Sequence, residues 1–290
     1  MKLAACSVLY NPTEEIFENI DSYYSDDILL IIVDNTPNPD AKIKNALQQR
    51  YKNLLYIENG ENLGIATALN IACQKAIEEK CEWILTMDQD SRFLNFSDYK
   101  SCLEKLHTHK DLALIAANTM WHADQHLPQN VSCDYVEKFL VITSGNFLNL
   151  HYYQEVGGFN DELFIDMVDH EYCLKLQEKQ YKIYFLKDIL VQHSLGTLHQ
   201  RKNLITRKIR NKIEHSPQRV YYITRNSFYL YKKYKKLFPK EFNLLKTLNI
   251  MFVHEVTKIL LYEDQKLQKL YAKALGFYHF LLGKYGKHDL

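Results

Sequence analysis

Short apolar runs closed by polar or turn-forming residues alternate with stretches of helical period through about the first ninety residues. Leu3 to Tyr10, Leu29 to Val33, Asn53 to Ile57 and Trp83 to Met87 read as strands. Between them, a helix runs from Thr13, placed to cap it, to Ser22, with Glu14 and Glu15 in its first turn. Ile43 to Arg50 forms a second helix. Gly64 to Glu79 forms a third, which gathers Ala66, Leu69, Ala72, Cys73 and Ala76 on one apolar face. Strict alternation of strand and helix predicts a parallel sheet with right-handed crossovers.

The middle is less regular. Leu112 to Ala117 reads as a strand and residues 118–138 as a loop or hairpin, and Leu140 to Thr143 leads into Ser144-Gly145-Asn146. His151 to Val156 predicts a short helix closed by Gly157-Gly158-Phe159, and a further helix opens near Ile165 and runs to about Lys179. Tyr181 to Leu186 and Ile189 to Val191 read as short strands ending at His193-Ser194-Leu195-Gly196. From about Gln218 the period is helical: Tyr221, Tyr222, Phe228, Tyr229 and Tyr231 line one stretch, followed by Phe242 to Tyr262 and Leu267 to Tyr285. The expected class is α/β, a mostly parallel Rossmann-like sheet flanked by helices with a C-terminal helical appendage. The expected domains are 1–200 and 201–290, with the boundary in the basic segment 199–217.

Charge sharpens that division. Residues 200–290 hold 20 Lys and Arg against 6 Asp and Glu, and residues 1–199 hold 16 against 29, so the net charge of +1 conceals about +14 beside about −13. A basic helical third suits an anionic partner, and an acidic body suits a metal. Cys6, Cys73, Cys81, Cys102, Cys133 and Cys173 show no Cys-x-x-Cys spacing and read as buried free thiols of a reducing compartment. The N-terminal apolar run is too short for a signal peptide, and no stretch approaches membrane-spanning length, so a cytoplasmic location is expected.

The chemistry gathers at Trp83-Ile84-Leu85-Thr86-Met87-Asp88-Gln89-Asp90-Ser91. An apolar strand ends in two carboxylates one residue apart, and strand alternation puts Asp88 and Asp90 on the same side. Such a pair suits Mg2+ or Mn2+, which prefer hard oxygen ligands. The plain structural alternative is an acidic turn, with Asp88 capping backbone and Asp90-Ser91 starting a helix. Asp169 and Glu171 fall in the first turn of their helix, where the dipole alone favours acids. His193, at a strand end, reads either as a metal or phosphate contact or as a structural residue. No Gly-x-Gly-x-x-Gly follows the first strand, which sets aside a nucleotide-binding dehydrogenase.

The ordered set Tyr-Asn-Pro (10–12), Val-Asp-Asn (33–35), Glu-Asn-x-Gly-Ile-Ala (61–66), Met-Asp-Gln-Asp-Ser (87–91), Thr-Ser-Gly-Asn (143–146), Val-Gly-Gly-Phe (156–159) with Leu-Phe-Ile-Asp-x-Val-Asp-x-Glu-x-Cys-Leu-Lys (163–175), and His-Ser-Leu-Gly (193–196) resembles the family 2, inverting, GT-A glycosyltransferases. Within them it looks most like the bacterial rhamnosyltransferases that use dTDP-L-rhamnose, over residues 1 to about 232. The resemblance implies that 1–200 is a nucleotide-sugar-binding catalytic domain. Asp34 would contact the nucleobase, Asp88 the ribose or the metal shell, and Asp90 the metal directly, with His193 as a further ligand. Tyr10, Asn11, Asn62, Gln89, Gly145 and Asn146 would join Asp34 and Asp88 around the nucleotide sugar. Asp169 would be the general base. The first acid of the family's dyad is Val168 here, which leaves Asp166 or Glu171 to supply the second carboxylate. The Arg225-Asn226 pair also resembles a feature of the subgroup, without an assigned role.

The implied reaction is transfer of a sugar, L-rhamnose foremost, to a hydroxyl of a growing surface polysaccharide or lipid-linked glycan, with Mg2+ or Mn2+ as cofactor. A UDP-hexose transferase and a catalytically inactive membrane-associated GT-A module are the alternatives. The implied partners are the nucleotide-sugar donor (dTDP-L-rhamnose or a UDP-sugar) and the glycan or lipid-linked acceptor. An anionic membrane surface at the inner face of the plasma membrane and a second copy docking through the C-terminal helices are further candidates, and nucleic acid is not. Lys232, Lys233, Lys235 and Lys236 are the expected contacts to anionic lipid.

Overall fold

A computed structural model describes residues 1–120, 128, 130–193, 199–202, 209–212 and 214–290. The chain divides into two compact units, one comprising Met1–Asn160 and Asp169–Ser194, the other Asp161–Val168 and Leu195–Leu290.

The first unit is built on β1 (Leu3–Leu9), α1 (Glu15–Asp21), β2 (Ile28–Asp34), α2 (Ala41–Arg50), β3 (Leu54–Glu58), α3 (Ile65–Glu78), β4 (Trp83–Asp88), β5 (Ser91–Phe93), α4 (Phe96–Leu106), β6 (Leu112–Met120), β7 (Val136–Glu137), β8 (Asn146–Asn149), α5 (Leu150–Glu155), α6 (Val168–Glu178) and β9 (Lys182–His193). One sheet takes the order β3-β2-β1-β4-β8-β6-β9-β5, with β7 also on β9. Strands β1, β2, β3 and β4 pair in parallel. Every residue of β2 is buried, as a parallel strand covered on both faces requires, and this explains its unbroken apolar run. Strand β8 runs antiparallel to both β4 and β6, while β9 runs parallel to β6. The carboxyl ends of β1, β2, β4, β6 and β9 therefore share one edge.

Several expectations are corrected. Helix α1 starts at Glu15, one residue later than a cap at Thr13 implies. Glu14 is its cap residue and makes no side-chain cap, while Thr13 contributes only its carbonyl to the Ile16 N–H at 3.1 Å. The two strands expected after Tyr181 are one, β9, whose pairing with β6 slips between Ala117 opposite Leu186 and Asn118 opposite Leu190. The polar Lys187-Asp188 that suggested a break is a bulge. Asn95 fastens it, donating to the Asp188 carbonyl and accepting from the Leu190 N–H, both at 2.9 Å. The expectation of six free thiols holds for Cys6, Cys73, Cys81 and Cys173, all buried. Cys102 and Cys133 form a disulfide, because the face of α4 carrying Cys102 packs on the core where Cys133 also lies. A pairing across 31 residues leaves no local spacing signal. The expected loop 118–138 contributes the end of β6 and all of β7; its residues 121–127 and 129 lie outside the described residues.

The second unit contains a 3-10 turn (Asp161–Leu163), the antiparallel pair β10 (His199–Lys202) and β11 (Ile209–Lys212), α7 (Pro217–Tyr234), α8 (Leu244–Leu248), a π-helical turn (Asn249–His254), α9 (Glu255–Tyr262) and α10 (Lys266–Leu282). Ser216 caps α7 by accepting from the Arg219 N–H at 3.3 Å, and Pro217 sits at its first position. The single helix expected over 242–262 is interrupted by the π turn. Tyr221, Tyr222 and Phe228 are buried, so packing accounts for most of the aromatic run on α7. Gly276 lets α10 approach α7 closely: a Cβ there would lie 2.5 Å from the Tyr221 carbonyl. No helix among the described residues is long and apolar enough to cross a membrane.

Candidate active site

The register of the sheet builds the site. Leu9 pairs with Asp34 and Val8 with Asp88, so Tyr10-Asn11, Asp34-Asn35 and Asp88-Gln89-Asp90 emerge side by side at the carboxyl edge, where ligands of open α/β sheets bind. Chain β5 folds back antiparallel on β9, placing Ser91 opposite His193. The fold thereby delivers a residue from a distant strand to the two aspartates. The His193 Nδ1 lies 2.6 Å from the Ser91 hydroxyl, 3.4 Å from Asp90 Oδ1 and 4.0 Å from Asp88 Oδ2. One ligand atom from each of Asp88, Asp90 and His193 falls within 4.8 Å of the others. Two hard carboxylates and an imidazole at that spacing could hold a divalent cation. Asp90-Ser91 does not start a helix; Ser91 opens β5.

Around this cluster the strand ends are braced to one another. The Gln89 side chain accepts from the Tyr10 N–H at 2.9 Å and donates to the Tyr10 carbonyl at 3.2 Å. Asn11, with φ 48°, donates its N–H to the Thr36 hydroxyl at 2.8 Å. Asp34 is buried; its carboxylate accepts from the Thr36 N–H at 2.8 Å and from the Tyr56 hydroxyl. Asn62 accepts from the Gly64 N–H at 2.9 Å, tightening the turn into α3.

The wall beside β4 comes from β8 and α6. Asp88 donates its N–H to the buried Ser144 hydroxyl at 3.1 Å. Gly145, at φ +84°, donates to the Thr86 carbonyl at 2.8 Å and accepts from the Ala117 N–H at 3.0 Å and from the Tyr99 hydroxyl at 2.9 Å. Asn146 is buried and donates to the Ile142 carbonyl. A cavity lined by Thr86, Thr143, Asn146, Asp169, Tyr172 and Cys173 offers about 10 Å³, room for about one water molecule. Asp169 thus borders the same wall as Asn146. Burial pushes the Cys173 thiol up to about 12, so no thiolate competes with Asp169 there.

The three acids of the expected set lie in different surroundings. Asp169 is half-buried and accepts from the His170 N–H at 2.8 Å. Glu171, two residues on, is fully buried and lies 3.4 Å from the Lys175 ammonium, which also donates to the Gly158 carbonyl at 2.8 Å. Asp166 belongs to the second unit, where Arg219 holds its carboxylate through Nε at 3.2 and 3.3 Å and through Nη2. Of His193-Ser194-Leu195-Gly196, residues 194–196 lie outside the described residues.

Residues 7–130 match the family model described as Glycosyl transferase family 2. Over that stretch the chain is similar to the family 2 glycosyl transferases. It is 29% identical over 247 residues to a dTDP-rhamnosyl transferase, RfbF, of Shigella flexneri, covering 79% of each chain. Among solved structures it resembles S. aureus TarS residues 1–349 in complex with UDP-GlcNAc, with TM-score 0.62 at 15% identity over 98% of this chain and 82% of that one. It also resembles a mannosyltransferase, PcManGT, of Pyrobaculum calidifontis in complex with GDP-Man and Mn2+, with TM-score 0.58 at 12% identity over 100% and 76%. With the mostly parallel sheet and flanking helices, these likenesses give a GT-A fold with C-terminal helices.

Sequence reasoning missed Ser91 and Ser144, which orient His193 and the Asp88 backbone, and Asn35, which donates to the Gly64 carbonyl at 3.0 Å. Each is a small polar residue inside one of the motifs given above, where none of the three had a role of its own. What marked them was burial without an apolar side chain, which a strand pattern read for hydrophobicity passes over.

Proposed function

We propose that this chain is a metal-dependent, inverting glycosyltransferase that moves L-rhamnose from dTDP-L-rhamnose to a hydroxyl of a surface polysaccharide or lipid-linked glycan. The observation that carries the reading is the convergence of Asp88, Asp90 and His193 within 4.8 Å at the carboxyl edge of the sheet. The rhamnosyl transferase relative supports the donor sugar.

Asp88, Asp90 and His193 would hold Mg2+ or Mn2+, which when bound supplies Lewis-acid neutralisation of the diphosphate charge. Asp169 takes the proton from the acceptor hydroxyl as that oxygen bonds to the anomeric carbon and the bond to the diphosphate breaks, the electron pair leaving with dTDP. Attack opposite the leaving group inverts the anomeric centre. Glu171 is buried beside Lys175 and Asp166 is held by Arg219, so both serve as structural acids in this reading and Asp169 acts as the base. Tyr10, Asn11, Asn62, Gln89, Gly145 and Asn146 shape the donor site through the backbone braces described above. Asp34 keeps acceptor capacity for a nucleobase N–H, since a carboxylate oxygen accepts more than one hydrogen bond. Lys232, Lys233, Lys235 and Lys236 are exposed on and just after α7, which supports an anionic surface as the place where a lipid-linked acceptor is met.

Calorimetric titration with dTDP and with UDP in the presence of Mn2+ tests the donor. Tighter binding of dTDP by about tenfold or more, a difference of about 1.4 kcal/mol, is expected. Preference for UDP would assign the site to a UDP-hexose, and binding of neither would overturn the reading.

A further inference from the structure

Arg225 and Asn226 stand in the middle of α7, and both side chains are completely buried. Every hydrogen bond that Arg225 makes to the backbone goes to a carbonyl of a turn: Nη1 to Gly286 at 2.7 Å, and Nη2 to Glu162 and Leu163, each at 3.1 Å. Its guanidinium lies 4.9 Å from the centre of the Tyr222 ring, and its Nε donates to Asn226 Oδ1 at 2.9 Å, which fixes the orientation of the Asn226 amide. The amide nitrogen of Asn226 then donates to three carbonyls, those of Leu163 at 3.0 Å and of Ile165 and Asp166 at 2.9 Å.

The backbone so gripped is unusual. Phe164, Asp166 and Met167 have φ of 64°, 63° and 63°, a region that side chains other than glycine rarely adopt. Four successive residues crowded with left-handed conformers persist only where surrounding groups over-determine them. Here the donors of Arg225 and Asn226, the stacking of Phe164 on Tyr222 at 5.2 Å, and the Arg219 grip on the Asp166 carboxylate supply that determination. The turn ends where α6 begins, at Val168, and the next residue is Asp169.

We propose that Arg225 and Asn226 are positioning residues: together they hold the turn 162–167 in its left-handed course, and so fix the start of α6 and the approach of Asp169 to the acceptor. The catalytic half of this inference rests on the reading of Asp169 as the general base. Neither residue touches substrate in this scheme. They act through the carbonyls of the turn, so their loss lowers turnover while leaving donor affinity alone.

The test uses the full chain with Asn226→Asp, which keeps the shape and the bond from Arg225 but removes both amide donors, and Arg225→Lys, which keeps the charge but loses the fork. Two quantities are read: Mn2+-dependent hydrolysis of dTDP-L-rhamnose, and hydrogen exchange of amides 162–168. For Asn226→Asp, kcat is expected to fall by about 100-fold with KM within about twofold, as for a base displaced by about 1 Å. Exchange in 162–168 should rise by about tenfold or more while the flanking turns of α7 keep their protection. Unchanged exchange in the turn overturns the proposal, and so does unchanged kcat in a variant whose turn exchanges faster. Should Asn226→Asp not fold, Arg225→Lys is read in the same way. Wild-type protection at Phe164 and Ile165, whose N–H groups donate to the Asp161 and Leu163 carbonyls, is also required, and exchange of these two at the rate of an open loop would overturn the proposal. A wild-type chain that hydrolyses no sugar nucleotide would sink the functional reading instead, and the exchange data would still decide the clamp.

Discussion

Gly145 sits in a motif that sequence alone assigns to ligand, yet the structure gives it a packing duty that can be measured without any substrate. Its φ of +84° lies in the left-handed region, and a Cβ added there would meet Val191 Cγ2 at 2.9 Å and Ala117 Cβ at 3.3 Å. Both neighbours belong to the buried sheet and cannot swing aside. Gly145→Ala should cost about 1–2 kcal/mol for the backbone conformation and a further ~1–3 kcal/mol for overpacking. The combined loss is about 2–5 kcal/mol, which lowers the thermal midpoint of a unit of this size by at least about 4 °C. Val191→Ala removes the atom met first. In the double variant the overpacking part should vanish, leaving the conformational part and giving a coupling of about 1–3 kcal/mol in a cycle read by urea denaturation. A Gly145→Ala protein with an unchanged midpoint, or effects of the two changes that add to within about 0.5 kcal/mol, would refute this reasoning.

Two further outcomes follow from the site and the second unit. Asp169→Asn keeps size and polarity while removing basicity, so turnover should fall by roughly two to four orders of magnitude with little change in donor affinity; full turnover in a steady-state assay would move the base elsewhere. Lys273 is buried against Thr224, and burial pulls its ammonium down to about 8 from 10.5. Because the unfolded chain binds the proton more tightly than the folded one, Lys273 weakens the fold fully below about pH 8, and stability recovers as the pH rises from about 8 to 10.5. Lys273→Met should raise the urea midpoint at pH 7 and flatten that slope; an unchanged pH profile would contradict it.

Much of the sheet could be read from the chain because its strands are apolar runs bounded by turns, and each of the first four appears within about a residue of its expected bounds. Asp88 and Asp90 were legible for the same reason: carboxylates at the end of a buried strand have no packing role. Parts that depend on distant pairing were not. The Cys102–Cys133 bond and the bulge at Lys187-Asp188 arise from packing between segments remote in sequence, and Asn95 reaches across 93 residues to secure the latter. The separate surroundings of Asp166, Asp169 and Glu171 were equally hidden, because adjacent acids on one stretch look alike until Arg219, the cavity wall and Lys175 are placed beside them. The Arg225-Asn226 pair could be noticed but not understood, since its partners are backbone carbonyls that no side-chain pattern reveals.

Release of nucleoside diphosphate from a panel of sugar nucleotides, with and without Mn2+ and with Asp90→Ala beside wild type, tests the central claim most directly. Wild-type protein should release dTDP from dTDP-L-rhamnose, and EDTA and Asp90→Ala should each abolish that release, because Asp90 converges with Asp88 and His193 within 4.8 Å. Hydrolysis indifferent to chelation and to Asp90, or no hydrolysis of any donor, would contradict it.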